Sequence, residues 1–276
     1  MARQILRCSS HTAIAAMMGD LGWWSLRARR DIQRLRYWGN LVCMSPDRIT
    51  RIVYATMKSD LERAPASSNN WCFYTKGLLQ SLGLIEYWNK ESLFPGKENW
   101  KCLIASKIAQ REQNLWKKEV LSKGKLRTYR TIKTDLCLEP YLLHGGSLAR
   151  SVLFSLRSGS NRLRIETGRW KKPYEEAEDR LCLLCKSNEV EDEVHFVASC
   201  EFYGDLRHKF FLKIFEATQG KVNLYNELDK HFIFELTTGA EMKSGPVWDK
   251  ICLASLNFVY QAMKRRALTF GEKFVY

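Results

Sequence analysis

The chain has 276 residues, 45% of them hydrophobic and 12% aromatic, with a formal net charge of +14. Length and apolar content give a folded protein with a sizeable core and exclude intrinsic disorder, and no apolar run approaches the roughly 18 residues of a membrane span. Nine cysteines, an odd number far below disulfide-scaffold density, exclude a small secreted fold held by disulfides.

Along the chain, the opening MARQILRCSSHTAIAAMMG carries Arg3 and Arg7 and no acid before Asp20. Transit peptides share that bias, but AIAAMM is too short for a secretory core, and the segment reads as ordinary protein. DIQRLRYWGNLV, residues 31–42, places Ile32, Leu35, Trp38 and Leu41 at three-residue steps with arginines between them, which predicts an amphipathic helix. Trp23 and Trp24 just before it read as core. ERAPASSNNW, residues 62–71, and NKESLFPGKENW, residues 89–100, read as loops, the second on its Pro95-Gly96 turn signal. In CLIASKIAQREQNLWKKEVL, residues 102–121, Ile104, Ile108, Leu115 and Val120 form the next stripe, and Gly124 is a stop.

Further on, KKPYEEAED, residues 171–179, is the best linker. DLRHKFFLKIFEAT puts Leu206, Phe210, Ile214 and Ala217 on one face with Asp205 as N-cap. SGPVWDKICLASLNFVYQAMKRR starts with Pro246 in a first-turn position and lines up Trp248, Cys252, Leu256, Val259 and Met263. Lys264, Arg265 and Arg266 suit the negative end of that helix. No alternating strand is present, so the fold class is mainly α. The six scattered cysteines, Cys8, Cys43, Cys72, Cys102, Cys137 and Cys252, read as reduced and mostly buried thiols of an intracellular protein, nuclear or cytoplasmic.

CLLCKSNEVEDEVHFVASC, residues 182–200, sets Cys182, Cys185, His195 and Cys200 in the pattern Cys-x2-Cys-x9-His-x4-Cys. Zinc takes four N or S donors tetrahedrally, and a Cys-x2-Cys turn delivers two thiolates with little strain. The other two would come from one helical turn and its end. Four protein donors fill a tetrahedral ion, so the site is expected to hold one structural Zn2+ and to leave no position for water. Core thiols beside a core histidine, or redox use of Cys-x2-Cys, are the other readings. Among Glu189, Glu191, Asp192 and Glu193, a carboxylate is placed to orient His195, while most of that run reads as a solvated loop. His208 lies beyond the helix start and is left out.

Charge divides the chain. Up to residue 180 there are 32 Lys+Arg against 17 Asp+Glu, and beyond it 12 against 13. A polyanion-binding body followed by a neutral module has this form; a solvated basic surface is the plainer alternative. RSVLFSLRSGSNRLRIETGRWKK, residues 150–172, interleaves Arg157, Arg162, Arg164, Arg169, Lys171 and Lys172 with Ser, Gly and Trp170, a mixture that suits phosphates and bases. KKEVLSKGKLRTYRTIK, residues 117–133, is equally basic and reads as contact or as solvated face.

Together, LGWWSLRARRDIQRLRYW, NNWCFYTKGLLQSLGL and RLRIETGRW followed by CLLCKSNEVEDEVHFVASCEFYGDLR resemble the C-terminal region of non-LTR (LINE-type, jockey-like) retrotransposon reverse transcriptases. The resemblance runs from about residue 9 to residue 266 and places Met1 inside an ancestral reading frame. It implies that residues 1–172 correspond to the part after the polymerase core, the thumb or connector, and 173–276 to the zinc-binding segment with C-terminal helices. It also implies help in holding template RNA or target DNA, beside the catalytic part of a reverse transcriptase or another protein. The polymerase palm would bring an Ala-Asp-Asp with two metal ions; the chain has no Asp-Asp pair, and its one Pro-Asp, Pro46-Asp47, reads as a turn and helix cap far from the zinc pattern. The expectation is therefore a non-catalytic zinc-binding, nucleic-acid-binding fragment with no membrane partner. A protein-interaction module, or a decayed element product without selected function, is the alternative.

Overall fold

The computed structural model describes residues 1–64, 70–239 and 245–274, and its regular structure is helical. The helices are α1 (Ala2–Leu6), α2 (Ile14–Asp20), α3 (Leu26–Val42), α4 (Ile49–Arg63), α5 (Trp71–Ser81), α6 (Ile85–Asn89) and α7 (Lys97–Ser122). They continue with α8 (Tyr129–Ile132), α9 (Ser147–Arg157), α10 (Arg164–Thr167), α11 (Gly204–Ala217), α12 (Lys230–Thr238) and α13 (Pro246–Thr269). Among the described residues β structure is limited to two isolated antiparallel bridges, Leu21 with Leu138 and Leu181 with Val190. No helix among them is long and apolar enough to cross a membrane. The mainly α expectation, with a cysteine-rich module toward the C-terminal part, is what the structure shows.

The chain forms two compact units, Trp24–Trp116 and the pair of segments Met1–Trp23 with Lys117–Tyr276. In the first, the α3 stripe packs as its spacing demands: Leu35, Trp38 and Leu41 are buried and Ile32 packs against them. Trp100 of α7 lies against Trp38, with ring centroids 5.1 Å apart, and its indole N–H donates to the Leu35 carbonyl at 2.9 Å. That approach requires Gly39, because a Cβ there would sit 2.7 Å from the Trp100 ring. Trp38 in turn donates to the Tyr54 hydroxyl at 3.0 Å, and Tyr54 donates to Glu91 at 2.8 Å. Arg51 and Lys58 hold the same carboxylate, so a buried indole is tied through one tyrosine to a paired charge at the edge of the core.

On α7 the buried apolar positions are Trp100, Ile104, Ile108, Trp116 and Val120, while Leu115 is 55% exposed. The expected stripe put Leu115 inward; successive four-residue steps from Ile104 reach Glu112 and Trp116, and the larger ring takes the face. Glu112 is buried because it accepts the Ser25 backbone N–H at 3.2 Å and lies 3.4 Å from Arg111. The expected loop at 62–71 has its tip, residues 65–69, outside the described residues; α4 extends to Arg63 on one side and α5 begins at Trp71 on the other. Pro46-Asp47 is a turn, with Asp47 accepting from Ser45, but α4 starts at Ile49 behind Arg48 and has no side-chain cap.

In the other unit α11 and α13 pack along their lengths, with Phe210 stacked on Phe258 at 5.1 Å. α13 begins at Pro246, and Cys252, Leu256, Val259 and Met263 are buried. Asp205 falls in the first turn of α11 and pairs with Arg265 at 2.5 Å; the cap position is Tyr203, so Asp205 complements the helix dipole without capping it. Of the six scattered thiols only Cys72 and Cys252 are buried; Cys43, Cys102 and Cys137 are exposed, which corrects the expectation of mostly buried cysteines.

The core of this unit contains a charge cluster. Asp20, at the end of α2, is fully buried and accepts from Tyr129 at 2.8 Å, Tyr141 at 2.7 Å and the Arg157 guanidinium at 3.0 and 3.1 Å. Arg157 also lies 3.0 Å from Glu139 and donates to the Thr238 carbonyl of α12, and Lys133 closes the set at 2.5 Å from Glu139. Two acids and two bases balance, which is the condition under which buried charges persist. Burial, with Asp20 next, raises both tyrosines well above their ordinary range, so they remain hydroxyl donors.

Candidate metal centre

Two short segments build the site. Residues 180–182 and 189–191 pair across the Leu181–Val190 bridge, Cys182 N–H donating to Glu189 O and Glu191 N–H to Arg180 O, both at 2.9 Å. This turns the Cys-x2-Cys loop back on itself. His195–Ser199 then forms a π-helical turn, and Cys200 N–H donates to His195 O at 2.9 Å. A π turn bonds residues five apart, so it sets His195 and Cys200, separated by four residues, side by side. A helical turn was expected to supply this pair; its π form is the structure's own detail.

The four side chains converge. The donor atoms of Cys182, Cys185, His195 and Cys200 all lie within 4.8 Å of one another. Cys182 Sγ is 3.8 Å from Cys200 Sγ, and Cys185 Sγ is 3.4 Å from His195 Nε2. Bonds of about 2.3 Å to sulfur and 2.0–2.1 Å to nitrogen give tetrahedral edges of roughly 3.8 Å between sulfurs and 3.5 Å from sulfur to nitrogen. The group can therefore hold a metal ion, and its donor set and spacing are consistent with zinc.

The surroundings orient the donors. His195 Nδ1 is 2.6 Å from a Glu189 carboxylate oxygen, which leaves Nε2 for the metal side. Glu189 is itself held by Lys230 at 2.7 Å and Ser199 at 3.0 Å; Lys230 first, then His195, bring its carboxyl down to about 2. Asp192 accepts the His195 backbone N–H at 2.7 Å. A hydrogen bond from Cys200 holds Cys182 below the usual thiol range against its burial, and the same contact raises Cys200. Burial opposes the imidazolium at His195, yet the Cys182 and Glu189 contacts raise it to about 9. The buried Arg207 of α11 donates to Val197 O at 2.7 Å and Cys200 O at 2.8 Å, so a fixed cation sits behind the cysteine cluster.

The acidic run between the ligand pairs is not a solvated loop. Glu191 and Glu193 are 2% and 1% exposed. Glu191 pairs with Arg266 of α13 at 2.8 Å and accepts the Arg164 backbone N–H at 2.9 Å. Glu193 takes Arg127 at 2.7 Å and Asn161 at 3.0 Å, and burial raises its carboxyl in spite of Arg127. These two acids tie the cysteine module to α13 and to the basic stretch before it. His208 is exposed and bonded to the Tyr225 hydroxyl at 2.7 Å, away from the four ligands.

The expected phosphate-facing residues separate into classes that the sequence could not distinguish. Arg157 is fully buried in the charge cluster, which removes it from any surface. Arg164 is mostly covered and pairs with Glu175 at 2.6 Å. Arg162 faces Glu272 at 3.2 Å, Arg169 lies 3.8 Å from Glu166, and Lys171 shares Glu175 at 2.8 Å. Lys172 is exposed, as is Trp170 at 84%. Arg180, unremarked in sequence, is buried and donates to the Ile165 carbonyl at 2.8 Å; Gly168 lets it pass, since a Cβ there would lie 2.6 Å from its side chain. The free positive charge sits elsewhere. α3 carries Arg27, Arg29, Arg30, Arg34 and Arg36 against the single acid Asp31, and that acid is paired with Arg111 at 2.7 Å. The signal was present in LRARRDIQRLR as five arginines against a single acid.

Glu189→Ala is expected to weaken zinc binding about 10- to 100-fold, the usual effect of removing a carboxylate that orients a ligating histidine. Competition with a chromogenic chelator measures it, and an unchanged affinity would show that Glu189 merely touches the ring. In comparisons with protein-family models, curated proteins and solved structures, the chain matches none.

Proposed function

We propose that this chain is a non-catalytic, zinc-stabilised, nucleic-acid-binding protein, related to the C-terminal region of a non-LTR retrotransposon reverse transcriptase. The observation that carries the nucleic-acid reading is the surplus of cations before residue 180, where α3 alone presents five arginines and its one acid is already paired. For the metal, four protein donors fill a tetrahedral zinc, so the ion holds a fold and does not activate water. Its role is to lock the turn that carries Glu191 and Glu193, and through them the junction of residues 161–166 with α13. The relation to reverse transcriptases rests on the run of motifs ending in CLLCKSNEVEDEVHFVASCEFYGDLR. RNA or DNA is the partner in this reading, with the catalytic part of a reverse transcriptase, or another protein, beside it.

Binding to a labelled RNA or DNA oligonucleotide tests the reading. Each phosphate contact contributes a log–log salt slope of about −0.7 to −0.9, so two or more contacts weaken binding by at least about sevenfold between roughly 50 and 200 mM salt. A salt-insensitive complex, or none at the lower concentration, would sink it. One observation favours a protein partner as second reading: an apolar groove of about 620 Å³ lined by Phe232, Leu236, Val247, Trp248 and Ile251. Under that reading oligonucleotides do not bind at any salt concentration.

A further inference from the structure

The unit Trp24–Trp116 contains an open groove of about 860 Å³ between α3 and α5. Helical spacing explains its two walls. Arg27, Arg30 and Arg34 recur at steps of three and four along α3, so they project together. On α5, Phe73, Lys76 and Gly77 share one face, with Tyr74 beside them, while Cys72, Leu78 and Leu79 enter the core. Among the described residues Arg27, Arg30, Arg34 and Lys76 have no carboxylate partner within 4 Å, and the acid lining the groove, Asp31, is buried against Arg111. The groove is therefore cationic without internal compensation.

It is also aromatic. Phe73 and Tyr74 are 45% and 49% exposed, set edge to face at 5.5 Å, and the Arg34 guanidinium lies 5.9 Å from the Tyr74 ring centre. A solvated basic face has no use for two large exposed rings between its cations. Gly77 adds an independent feature: inside a helix, where glycine is unfavourable, a Cβ would meet nothing within 4 Å. The missing side chain leaves backbone open to the groove.

We propose that the α3–α5 groove binds single-stranded nucleic acid, with Arg27, Arg30 and Lys76 on phosphates and Phe73 and Tyr74 stacking on bases. The inference rests on the nucleic-acid reading above and names its surface and its ligand. Rows of cations beside sequence-tolerant stacking rings are how single strands are held. In a duplex the base faces are already stacked, so only the phosphates would be available. Recognition on this surface follows backbone charge and base faces, not base edges.

The test uses the full zinc-loaded chain, a labelled oligothymidylate of about 12 nucleotides, its duplex with oligodeoxyadenylate, and polyglutamate as competitor. The wild-type protein is expected to bind the single strand more tightly than the duplex. Phe73→Ala and Tyr74→Ala should each weaken it about 5- to 100-fold, the range for loss of one stacking ring. The double variant Arg27→Glu, Arg30→Glu should flatten the log–log salt slope by about 1.4, two single-strand phosphate contacts. Gly77→Gln, which favours the helix while filling the groove, should weaken binding with the helical circular dichroism unchanged. Groove variants that bind like wild type would overturn this inference and leave the proposed function standing. Tighter binding to duplex, or polyglutamate competing as well as unlabelled oligonucleotide with the ring variants neutral, would overturn it as well. No binding by the wild-type protein would remove the proposed function itself.

Discussion

Cys182→Ser is expected to abolish zinc binding: the wild-type protein should carry about one ion per chain, as four converging donors imply, and the variant none. Zinc affinity comes from four converging donors, and a serine hydroxyl does not replace a thiolate that packs 3.8 Å from its neighbour. An ion that binds only the folded form stabilises it by linkage, about 4 kcal/mol at a thousandfold excess over Kd, and that contribution disappears with the ligand. The loss spreads, because residues 180–203 present Glu191 to Arg266 and Glu193 to Arg127. When the turn opens, those arginines lose their partners. Metal analysis by mass spectrometry, with urea unfolding of both proteins, measures the effect. Folded wild-type protein without metal, or a variant as stable as its parent, would return the four residues to the class of core thiols and a core histidine.

Arg157→Met is expected to destabilise the protein by about 3–5 kcal/mol, the cost of breaking a buried ion pair from one side. Asp20 would keep only the Tyr129 and Tyr141 hydroxyls and a backbone setting for its charge, and the Thr238 carbonyl would lose its donor. Against a total stability of about 5–15 kcal/mol this is a large fraction. Adding Asp20→Asn should recover part of the loss, since the unpaired charge goes with it, and the double-mutant cycle isolates that coupling. A single substitution costing less than about 1 kcal/mol would show that the cluster is not paired as described. A drop in nucleic-acid binding with this variant reports the fold and not a lost phosphate contact, because the side chain is fully buried.

The mainly α class was legible because periodicity is local. Ile32, Leu35, Trp38 and Leu41 declare a face by spacing alone, as do Cys252, Leu256, Val259 and Met263. The ligand set Cys182, Cys185, His195 and Cys200 was legible for the same reason: its chemistry needs those residue types at those intervals, and the structure gathers them. At Leu115 and Trp116 local periodicity was ambiguous by one residue, and the fit of the larger ring decided which turned inward.

Spacing along the chain thus carries the helical class, most inward faces and the four converging donors. Tertiary structure alone decided which charges are free. RSVLFSLRSGSNRLRIETGRWKK shows seven bases and one acid, yet its partners Asp20, Glu139, Glu175 and Glu272 lie outside the segment, some more than a hundred residues away. Glu191 and Glu193 looked solvated for the same reason, since Arg266 and Arg127 are remote in sequence. Whether a charge faces water or a counter-charge depends on what the fold carries to within 4 Å of it, and residue spacing along one segment holds no record of that.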